Sequence, residues 1–377
     1  MRGSIRQRSK GTWQIRLTDE DPVTGQRTWQ SVTVAGRKED AEKRLTEILR
    51  AKDTGTYVEP NKLTVREFLE RWLRDYVATR IPKLSTRASY TARVRKHVIP
   101  TLGALPLTKL TPGKIQELYR VKLESGLSST TVNDVHRVLH RALVYAVKLG
   151  LVARNVCDAT EPPKRRRPEM ATWTPAECLR FLATAQDNRY HPLFATAIYS
   201  GLRQGELLGL RWTDVDLDAG TLTVQQTLEK AGTAPRFGTP KTKKSRRTVP
   251  IPAEAVIVLR AWKAEQNQER LLRGPAYRDY GLVFTVAGGA PVSRHNLCRR
   301  DFATLTARAG VPRVRFHDLR HTSATLLLAA NVNPKVVSER LGHSGIGITM
   351  DTYSHVTPTM QRDAANVLGR VLGAARG

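Results

Sequence analysis

The spacing of apolar residues predicts a short β-rich start followed by a long, mainly helical chain. Near the N-terminus, Trp13, Ile15 and Leu17 alternate with polar residues, which predicts a half-buried strand. The turn DEDPVTGQ leads into a second predicted strand, RTWQSVTV. A stripe at helical spacing then predicts one helix packed on this sheet: Ala41, Leu45, Ile48 and Leu49.

Four helices are predicted between residues 62 and 160. The first follows TVRE, a capping box in which Thr and Glu side chains satisfy N–H groups at a helix start. The second begins at Ser85 and runs toward a stop at Pro100, and the third begins after Thr111. The fourth starts at about Ser129. Its apolar stripe consists of Val132, Val135, Val138, Leu139, Ala142 and Ala146.

The last part of the chain mixes helical patterns with short strand-like stretches. TPAE (174–177) is a second capping box, with Pro at the first helical position. GTLTVQQT and RRTVPI are predicted strands on either side of a Lys-rich turn. LVF (282–284) is a third and shorter candidate strand.

Two breaks rich in turn-forming residues, DTGTYVEPNK and EPPKRRRPEM, divide the chain. The predicted domains are 1–58, 62–160 and 170–377. The first is a small sheet with one helix, the second is helical, and the third combines helices with short strands. The predicted fold class is therefore mainly α with small β-sheets (α+β).

The chain has 62 basic and 34 acidic side chains, a formal net charge of +28, which indicates a negatively charged binding partner. Such an excess favours nucleic acid, with an anionic membrane surface as the alternative. No segment has the ~20 consecutive apolar residues of a membrane span, and the N-terminus lacks a signal-peptide core. Cys157, Cys178 and Cys298 show no ligand or disulfide spacing, which fits a reducing compartment. We therefore expect a cytoplasmic protein that acts on DNA or RNA, without a membrane partner.

The segment 62–170 has the largest basic excess for its length. Between its apolar stripes lie six basic residues with few acidic residues to oppose them: Arg87, Arg93, Arg95, Lys96, Arg137 and Arg141. An ordinary solvated helix face is the alternative interpretation for any one of them. As a set they predict a surface that binds DNA phosphates.

Two stretches of the last segment carry basic side chains that could belong to a functional site. In YSGLRQGELLGLRW, Arg203 and Glu206 stand at i, i+3, so the carboxylate can hold the guanidinium group in place. A surface ion pair of little energetic value is the alternative. PKTKKSRRTVPIP is a basic turn from which Lys241, Lys243 or Lys244 could enter a site, although most charge runs are simply solvated.

The stretch HDLRHTSATLL places His317, Arg320 and His321 on one helix face, directly ahead of an apolar run. The cluster predicts either a metal site or a clamp for an anion. Its histidines have the spacing of zinc ligands in H-E-x-x-H, but Asp318 replaces the general-base Glu and Arg320 lies beside the proposed cation. The anion clamp is favoured, and no metal or other cofactor is predicted.

A fourth stretch, RLGHSGIGITMDTYSHV, has a turn at Gly342 and His343, and Tyr353 lies ten residues later on a predicted short helix. Together, GLRQGELLGLRW, KTKKSRRTVPI, HDLRHT and this stretch, in this order, resemble the tyrosine recombinases, also called phage-type integrases. The resemblance implies six catalytic residues: Arg203, Lys241, His317, Arg320, His343 and Tyr353.

The resemblance implies a transesterification at a DNA phosphate. Tyr353 attacks the scissile phosphorus, so that a 3′-phosphotyrosyl link forms and a 5′-hydroxyl leaves. Arg203 and Arg320 stabilise the charge that develops on the non-bridging oxygens. His317 hydrogen-bonds the phosphate or accepts the tyrosine proton, and His343 adds a further donor.

Two supporting roles complete the implied site. Lys241 protonates the leaving 5′-oxygen, and it matches the family position in K-T-x-x-S-x-R. Lys243 and Lys244 lie close enough to leave the choice of lysine open. Glu206 orients its neighbours without touching DNA.

The implied architecture is an arm-type DNA-binding domain at 1–58, a core-binding domain at 62–160 and a catalytic domain at 170–377. Four protomers join two double-stranded DNA sites of a phage or mobile element and a bacterial host, without ATP or metal. An excisionase or a host DNA-bending protein would be an accessory partner. A non-catalytic DNA-binding regulator and a type IB topoisomerase-like enzyme are the alternative functions. The DNA target, the bias between integration and excision, and any exchange of the C-terminal tail between protomers stay open.

Overall fold

The computed structural model divides the chain into two compact units, 1–167 and 168–377. It describes residues 3–20, 27–53, 62–165, 170–232, 234–239, 246–343 and 345–353, together with residues 362, 366, 367, 369 and 370. Each unit has its own buried core, and each is described by itself.

The first unit begins with a three-stranded antiparallel sheet in the order β1-β2-β3, followed by helix α1. These elements are β1 Gly3–Ser9, β2 Thr12–Glu20, β3 Arg27–Ala35 and α1 Lys38–Asp53. Ile15 and Leu17 of β2 are buried against Ala41 and Ile48 of α1. The two predicted strands and the helix are present. Strand β1 is not predicted by the alternation of the sequence, because Ile5 is its single large apolar residue.

The rest of the first unit is helical. Its α-helices are α2 Val65–Trp72, α3 Ala78–Arg80, α4 Leu84–Arg93, α5 Ile99–Leu102, α6 Pro112–Glu124 and α7 Ser129–Lys148. Short 3₁₀ turns lie at Leu107–Lys109 and Val156–Ala159, and π-helical turns lie at Leu73–Val77 and Val94–Val98. The predicted capping box is formed, since Thr64 and Glu67 bond each other's backbone N–H groups. The predicted stripe of α7 is buried in the core of this unit.

The predicted helix stop at Pro100 is wrong, because the chain stays helical as far as Leu102. A π-helical turn precedes α5, and the N–H of Ile99 bonds the carbonyl of Val94. Pro100 therefore lies in the first turn of α5, the part of a helix that tolerates proline best.

The second unit combines nine α-helices with short antiparallel strands, counted over the parts of it that the structure describes. Its helices are α8 Pro175–Thr184, α9 His191–Ser200, α10 Gln204–Leu208, α11 Ala253–Arg273, α12 Arg294–Asn296, α13 Ala303–Arg308, α14 Asp318–Ala329, α15 Pro334–Leu341 and α16 Ile346–Tyr353. A π-helical turn lies at Leu297–Phe302, and 3₁₀ turns lie at Trp212–Asp214 and Gly274–Ala276. Its strands are β4 Val215–Asp216, β5 Thr221–Val224, β6 Thr227–Lys230, β7 Arg236–Gly238 and β8 Arg247–Pro250.

The strands of the second unit form two small sheets, β4-β5-β8 and β6-β7. In the first sheet Leu222 of β5 lies opposite Val249 of β8, and both are fully buried. The predicted strand at LVF (282–284) is wrong, because Leu282 makes one isolated bridge, to Arg211. Its three apolar side chains are nevertheless buried, since a short apolar run marks the core whether or not it forms a ladder.

The predicted fold class, mainly α with small β-sheets, is confirmed. Within the described ranges, no helix is sufficiently long and apolar to span a membrane. The same ranges contain no group of three or more histidine, cysteine or acidic side chains arranged to hold a metal ion.

Candidate active site

The candidate site is built where the C-terminal ends of two helices meet. Helix α9 ends at Gly201 and helix α15 ends at Gly342, and both glycines are left-handed, with φ of 63° and 66°. A Cβ atom on Gly201 would lie 2.7 Å from Cδ2 of Leu341, so the two ends are in close contact. Left-handed glycines end helices at no steric cost, and they leave the last carbonyl groups open to other donors.

Three guanidinium groups bind the three successive carbonyl groups at the end of α15. The contacts are Arg247 Nε to the Arg340 oxygen at 2.6 Å, Arg320 Nη2 to the Leu341 oxygen at 2.6 Å and Arg203 Nη2 to the Gly342 oxygen at 2.9 Å. The Nη1 group of Arg320 also donates to the Gly201 oxygen at the end of α9, at 2.9 Å. The C-terminal end of a helix is the negative end of its dipole, which favours these cations. Carbonyl oxygens carry no formal charge, so they fix the guanidinium groups without neutralising them.

Glu206 is the buried carboxylate of this cluster, with 2% of its side chain exposed. Its Oε1 accepts Nη1 of Arg203 at 2.7 Å, and its Oε2 accepts the backbone N–H of Arg203 and Nη2 of Arg247, both at 2.9 Å. Burial alone would raise the pKa of Glu206, but the charge and hydrogen bond of Arg247 and the charge of Arg203 outweigh it and lower the pKa. The carboxylate is therefore ionised and joins two of the three arginines.

The turn that carries His317 and Arg320 lies at the start of α14. His317 is the residue before the helix, and its ring lies 5.4 Å from that of His321, centroid to centroid, at a right angle. Asp318 accepts the backbone N–H of Arg315 at 2.7 Å and a side-chain N–H at 2.8 Å, which fixes the entry of the chain into the helix.

The pKa of His317 is lowered to about 4, first by desolvation and then by the positive charge of His321 and Arg320. Its side chain still has access to solvent. The desolvation therefore comes from the atoms packed around the ring rather than from complete enclosure. At neutral pH the ring carries no charge, so one of its nitrogens is an acceptor.

His343 directly follows the glycine that ends α15. Its Nδ1 lies 2.8 Å from the hydroxyl of Thr349, a fully buried residue of α16. Desolvation, followed by the charges of Arg320 and Arg203, lowers the pKa of His343 to about 4. The imidazole is thus neutral at neutral pH, and its hydrogen bond ties the end of α15 to α16.

The remaining predicted catalytic residues are described in part or not at all. Tyr353 is the last residue of α16, and its side chain lies outside the described residues. Lys241, Lys243 and Lys244 also lie outside them, in the segment directly ahead of β8. The structure thus brings together Arg203, Glu206, Arg320 and His343, with His317 on the same turn as Arg320. The assignment of catalytic roles stays a prediction.

Arg247 belongs to this cluster and was not among the predicted site residues. It is the final arginine of the pattern K-T-x-x-S-x-R, so the signal was present in the sequence. An arginine at the start of a strand, next to another arginine, gives no indication by itself that it is buried.

The six predicted DNA-binding residues lie on α4, α7 and the π-helical turn after α4. Several make internal contacts: Arg93 with Asp134 at 2.7 Å, Arg95 with Glu70 at 2.7 Å, Arg137 with Asp134 at 3.9 Å, Arg87 with the Ile81 oxygen, and Arg141 with the Tyr90 hydroxyl at 3.1 Å. Lys96 is exposed. An exposed ion pair such as Arg95–Glu70 is weak, so a DNA phosphate can replace the carboxylate at little cost, whereas Arg93–Asp134 is half-buried. Their role in DNA binding stays a prediction.

Comparisons with known proteins agree with this fold. Residues 173–360 match the phage integrase family, and residues 64–123 match its N-terminal SAM-like domain. A tyrosine recombinase XerC-like protein of Caldanaerobacter subterraneus is 32% identical over 88% of this chain and 89% of its own length. An integrase of Streptomyces ambofaciens is 31% identical over 87% of this chain and 85% of its own length.

Solved structures show the same architecture at lower identity. The Tn1549 transposon integrase in complex with a circular intermediate DNA aligns with a TM-score of 0.69 and 22% identity, over 81% of this chain and 99% of that one. A lambda integrase tetramer bound to a Holliday junction aligns with a TM-score of 0.62 and 18% identity, over 94% and 95%. At these identities the likeness concerns the fold.

Fold and relatives together define a DNA-cutting and DNA-joining enzyme of the tyrosine recombinase class. The chain belongs to the phage integrase family and is a site-specific DNA recombinase. The family resemblance expected from the four sequence motifs is confirmed.

The lowered pKa of His343 gives a prediction about stability in acid. Its pKa rises from about 4 in the folded chain to about 6.5 in the unfolded chain, so the unfolded state binds more protons between these values. The free energy of unfolding should therefore fall as the pH drops from 6.5 toward 4. Replacement by glutamine, His343→Gln, should make this fall shallower, by at most about 1.4 kcal/mol per pH unit for one proton.

Urea unfolding at pH 5.0, 5.5, 6.0 and 6.5 checks this prediction. The exposed His295 of the same unit provides a matched control, as His295→Gln. Identical pH slopes in the parent chain and His343→Gln would contradict it.

Proposed function

We propose that this recombinase integrates, and in the reverse reaction excises, a phage or mobile element through a 3′-phosphotyrosyl intermediate. The observation that carries the proposal is the cluster of three guanidinium groups on the end of α15. Helix α16, which ends in Tyr353, follows that cluster after a short turn. A phosphate bound by the cluster would thus lie near the segment that carries the nucleophile.

The proposed reaction conserves the energy of the cleaved bond. The oxygen of Tyr353 attacks the phosphorus, the bond to the 5′-oxygen breaks, and that oxygen takes a proton as it leaves. The rejoining step reverses these changes with a 5′-hydroxyl of another strand. Since each step exchanges one phosphodiester for another, no ATP is required.

Arg203 and Arg320 are proposed to stabilise the charge on the non-bridging oxygens. Arg203 has 35% of its side chain exposed, so a phosphate can reach its N–H groups directly. Arg320 is 3% exposed, and we infer that it contacts the phosphate only once DNA has bound. Both guanidinium groups are held from behind by carbonyl groups, which favours a fixed orientation before DNA binds.

His317 is proposed to hydrogen-bond the phosphate or accept the tyrosine proton, and His343 is proposed to add a further donor to the phosphate. Their low pKa values reflect burial and neighbouring positive charges in the DNA-free protein. A bound phosphate adds negative charge beside His317 and His343, which raises both pKa values toward neutrality. A histidine that titrates near neutral pH is suited to proton transfer.

We propose that four copies of the chain act on two DNA duplexes. The support is the lambda integrase, a fold relative that has been solved as a tetramer bound to a Holliday junction. Strand exchange between two duplexes would distinguish this function from that of a type IB topoisomerase, which relaxes supercoils alone. A non-catalytic regulator would form no covalent adduct with DNA.

The N-terminal domain, 1–58, is proposed to bind a second DNA site through the outer face of its sheet. Pairing of β1, β2 and β3 puts polar and basic residues on the face opposite to α1: Ser4, Arg6, Gln14, Arg16, Ser31 and Thr33. Trp29 lies on the same face with 70% of its surface exposed. A small sheet of this kind fits the major groove of DNA. We propose the core-binding role for 62–160 and the catalytic role for 170–377.

Replacement of Tyr353 by phenylalanine should abolish covalent attachment to DNA. The variant lacks the attacking oxygen but keeps the ring, so its affinity for core-site DNA should stay within about twofold of the parent. A denaturing gel with nicked substrate detects the adduct, and Tyr280→Phe in the same unit is the control. An adduct that persists in Tyr353→Phe would exclude this tyrosine as the nucleophile.

A substrate with sulfur in place of the bridging 5′-oxygen tests Lys241 as the general acid. A thiolate leaves without protonation because the pKa of a thiol is about 8.5, so the acid becomes unnecessary. Lys241→Ala should be severely impaired on ordinary DNA and largely restored on the sulfur substrate. Restoration of Lys243→Ala or Lys244→Ala instead would assign the acid to that lysine.

The outer sheet face is tested by the salt dependence of binding to long DNA that carries arm sites. Each lost phosphate contact reduces the slope of log K against log salt by about 0.9. Arg6→Ser with Arg16→Ser should therefore reduce the slope by about 1.8, with cleavage of a short core site unchanged. Arg44→Ser, on the helix side of the domain, is the control. An unchanged slope in the double variant would argue against this face.

A further inference from the structure

We propose that Arg247 is a positioning residue of the recombination site, which holds Glu206 and the end of α15 so that Arg203 faces the phosphate. This role rests on the proposed function and concerns the same site. Arg247 is 8% exposed, and its guanidinium group contacts Glu206 and the Arg340 oxygen. We therefore place it in support of the cluster.

The guanidinium group of Arg247 joins a carboxylate to a helix end. Its Nη2 donates to Glu206 Oε2 at 2.9 Å, its Nη1 lies 3.4 Å from Oε1, and its Nε donates to the Arg340 oxygen at 2.6 Å. A planar guanidinium group can bind the carboxylate and the carbonyl oxygen at once, whereas a lysine ammonium cannot reproduce both contacts. The bonds therefore fix both the distance and the angle between α10, which carries Glu206, and α15.

Glu206 and the end of α15, which Arg247 joins, also hold Arg203. Glu206 Oε1 accepts Nη1 of Arg203, and the Gly342 oxygen at the end of α15 accepts its Nη2. Both of these contacts of Arg203 are thus to a group that Arg247 binds directly or to the adjoining turn of α15. Loss of Arg247 would leave Glu206 buried with one cationic partner and would release α15 from strand β8.

The backbone around Gly342 is consistent with a fixed position for Arg247. A Cβ atom on Gly342 would lie 2.9 Å from Nη1 of Arg247, closer than real Cβ contacts. The residue also has a positive φ of 66°. Only glycine satisfies both demands without strain, so the turn after α15 leaves room for this guanidinium group.

Arg247 also links the cluster to the lysine-bearing segment. It is the first residue of β8 and lies opposite Val224 of β5. The segment with Lys241, Lys243 and Lys244 ends directly ahead of this strand. Arg247 therefore fixes the start of β8 to the end of α15.

The test is a double-mutant cycle between Arg247 and Arg203, measured as single-turnover cleavage of nicked core-site DNA at saturating protein. Arg247→Met should slow cleavage by roughly 10²-fold, the scale of a misplaced catalytic group, while the Kd for DNA changes by less than about threefold. In an Arg203→Lys background the same substitution should cost less than about threefold, because the residue to be positioned is already lost. Arg247→Lys should recover part of the rate.

Arg211 provides a matched control, since it pairs with Asp214 at 2.7 and 3.0 Å in the same unit. The cleavage rate of Arg211→Met should stay within about twofold of that of the parent chain. Near-parental cleavage by Arg247→Met would overturn the proposed role, as would an equal loss in both backgrounds. A matching loss of DNA affinity would make Arg247 a phosphate contact instead.

The outcomes separate this role from the proposed function. If the parent chain forms no covalent adduct, the recombinase chemistry proposed for this site fails, and the role of Arg247 fails with it. If the parent forms the adduct and Arg247→Met forms it equally fast, only the positioning role fails. Should Arg247→Met not fold, Arg247→Lys completes the same cycle, and additive losses there would overturn the role.

Discussion

The contact between arginine side chains and the carbonyl end of helix α15 is the interaction on which the rest of the site depends. Every helix end leaves carbonyl groups that need donors. In α15 the turn itself satisfies Ser338 and Glu339, through the N–H groups of His343 and Gly342. Guanidinium groups satisfy the next three carbonyls. A requirement of backbone structure thereby brings three guanidinium groups together.

This arrangement explains how residues far apart in the sequence come together. Arg203 lies at the start of α10, Arg247 on strand β8 and Arg320 in α14, so no local pattern could align them. Helix α15 provides one common reference for all three. It also leads into His343, which is hydrogen-bonded to Thr349 of α16, so the guanidinium cluster and the segment bearing the proposed nucleophile are both attached to this helix.

Much of the fold follows from local sequence signals, and the exceptions have physical causes. Capping boxes and apolar stripes predicted helix starts and buried faces, because both depend on residues within one or two turns. Strand β1 depends on its pairing with β2, and the helical course through Pro100 depends on the π-helical turn ahead of it. The spacing of apolar residues shows neither. For the site, the family motifs indicated Arg203, His317, Arg320 and His343 together with Glu206. They did not indicate Arg247, whose burial depends on contacts with α15 and Glu206.

The neutral carbonyl ligands have a consequence for how ionic strength acts on this enzyme. Attraction between exposed charges is screened over about 10 Å at 0.1 M salt, whereas short contacts inside a protein are screened far less. Salt should therefore weaken the attraction between DNA and this basic chain, while the three guanidinium groups at the end of α15 stay in place. The affinity for DNA and the arrangement of the guanidinium groups should therefore respond differently to salt. An enzyme that salt releases from DNA should keep its three arginines in place for the next phosphate.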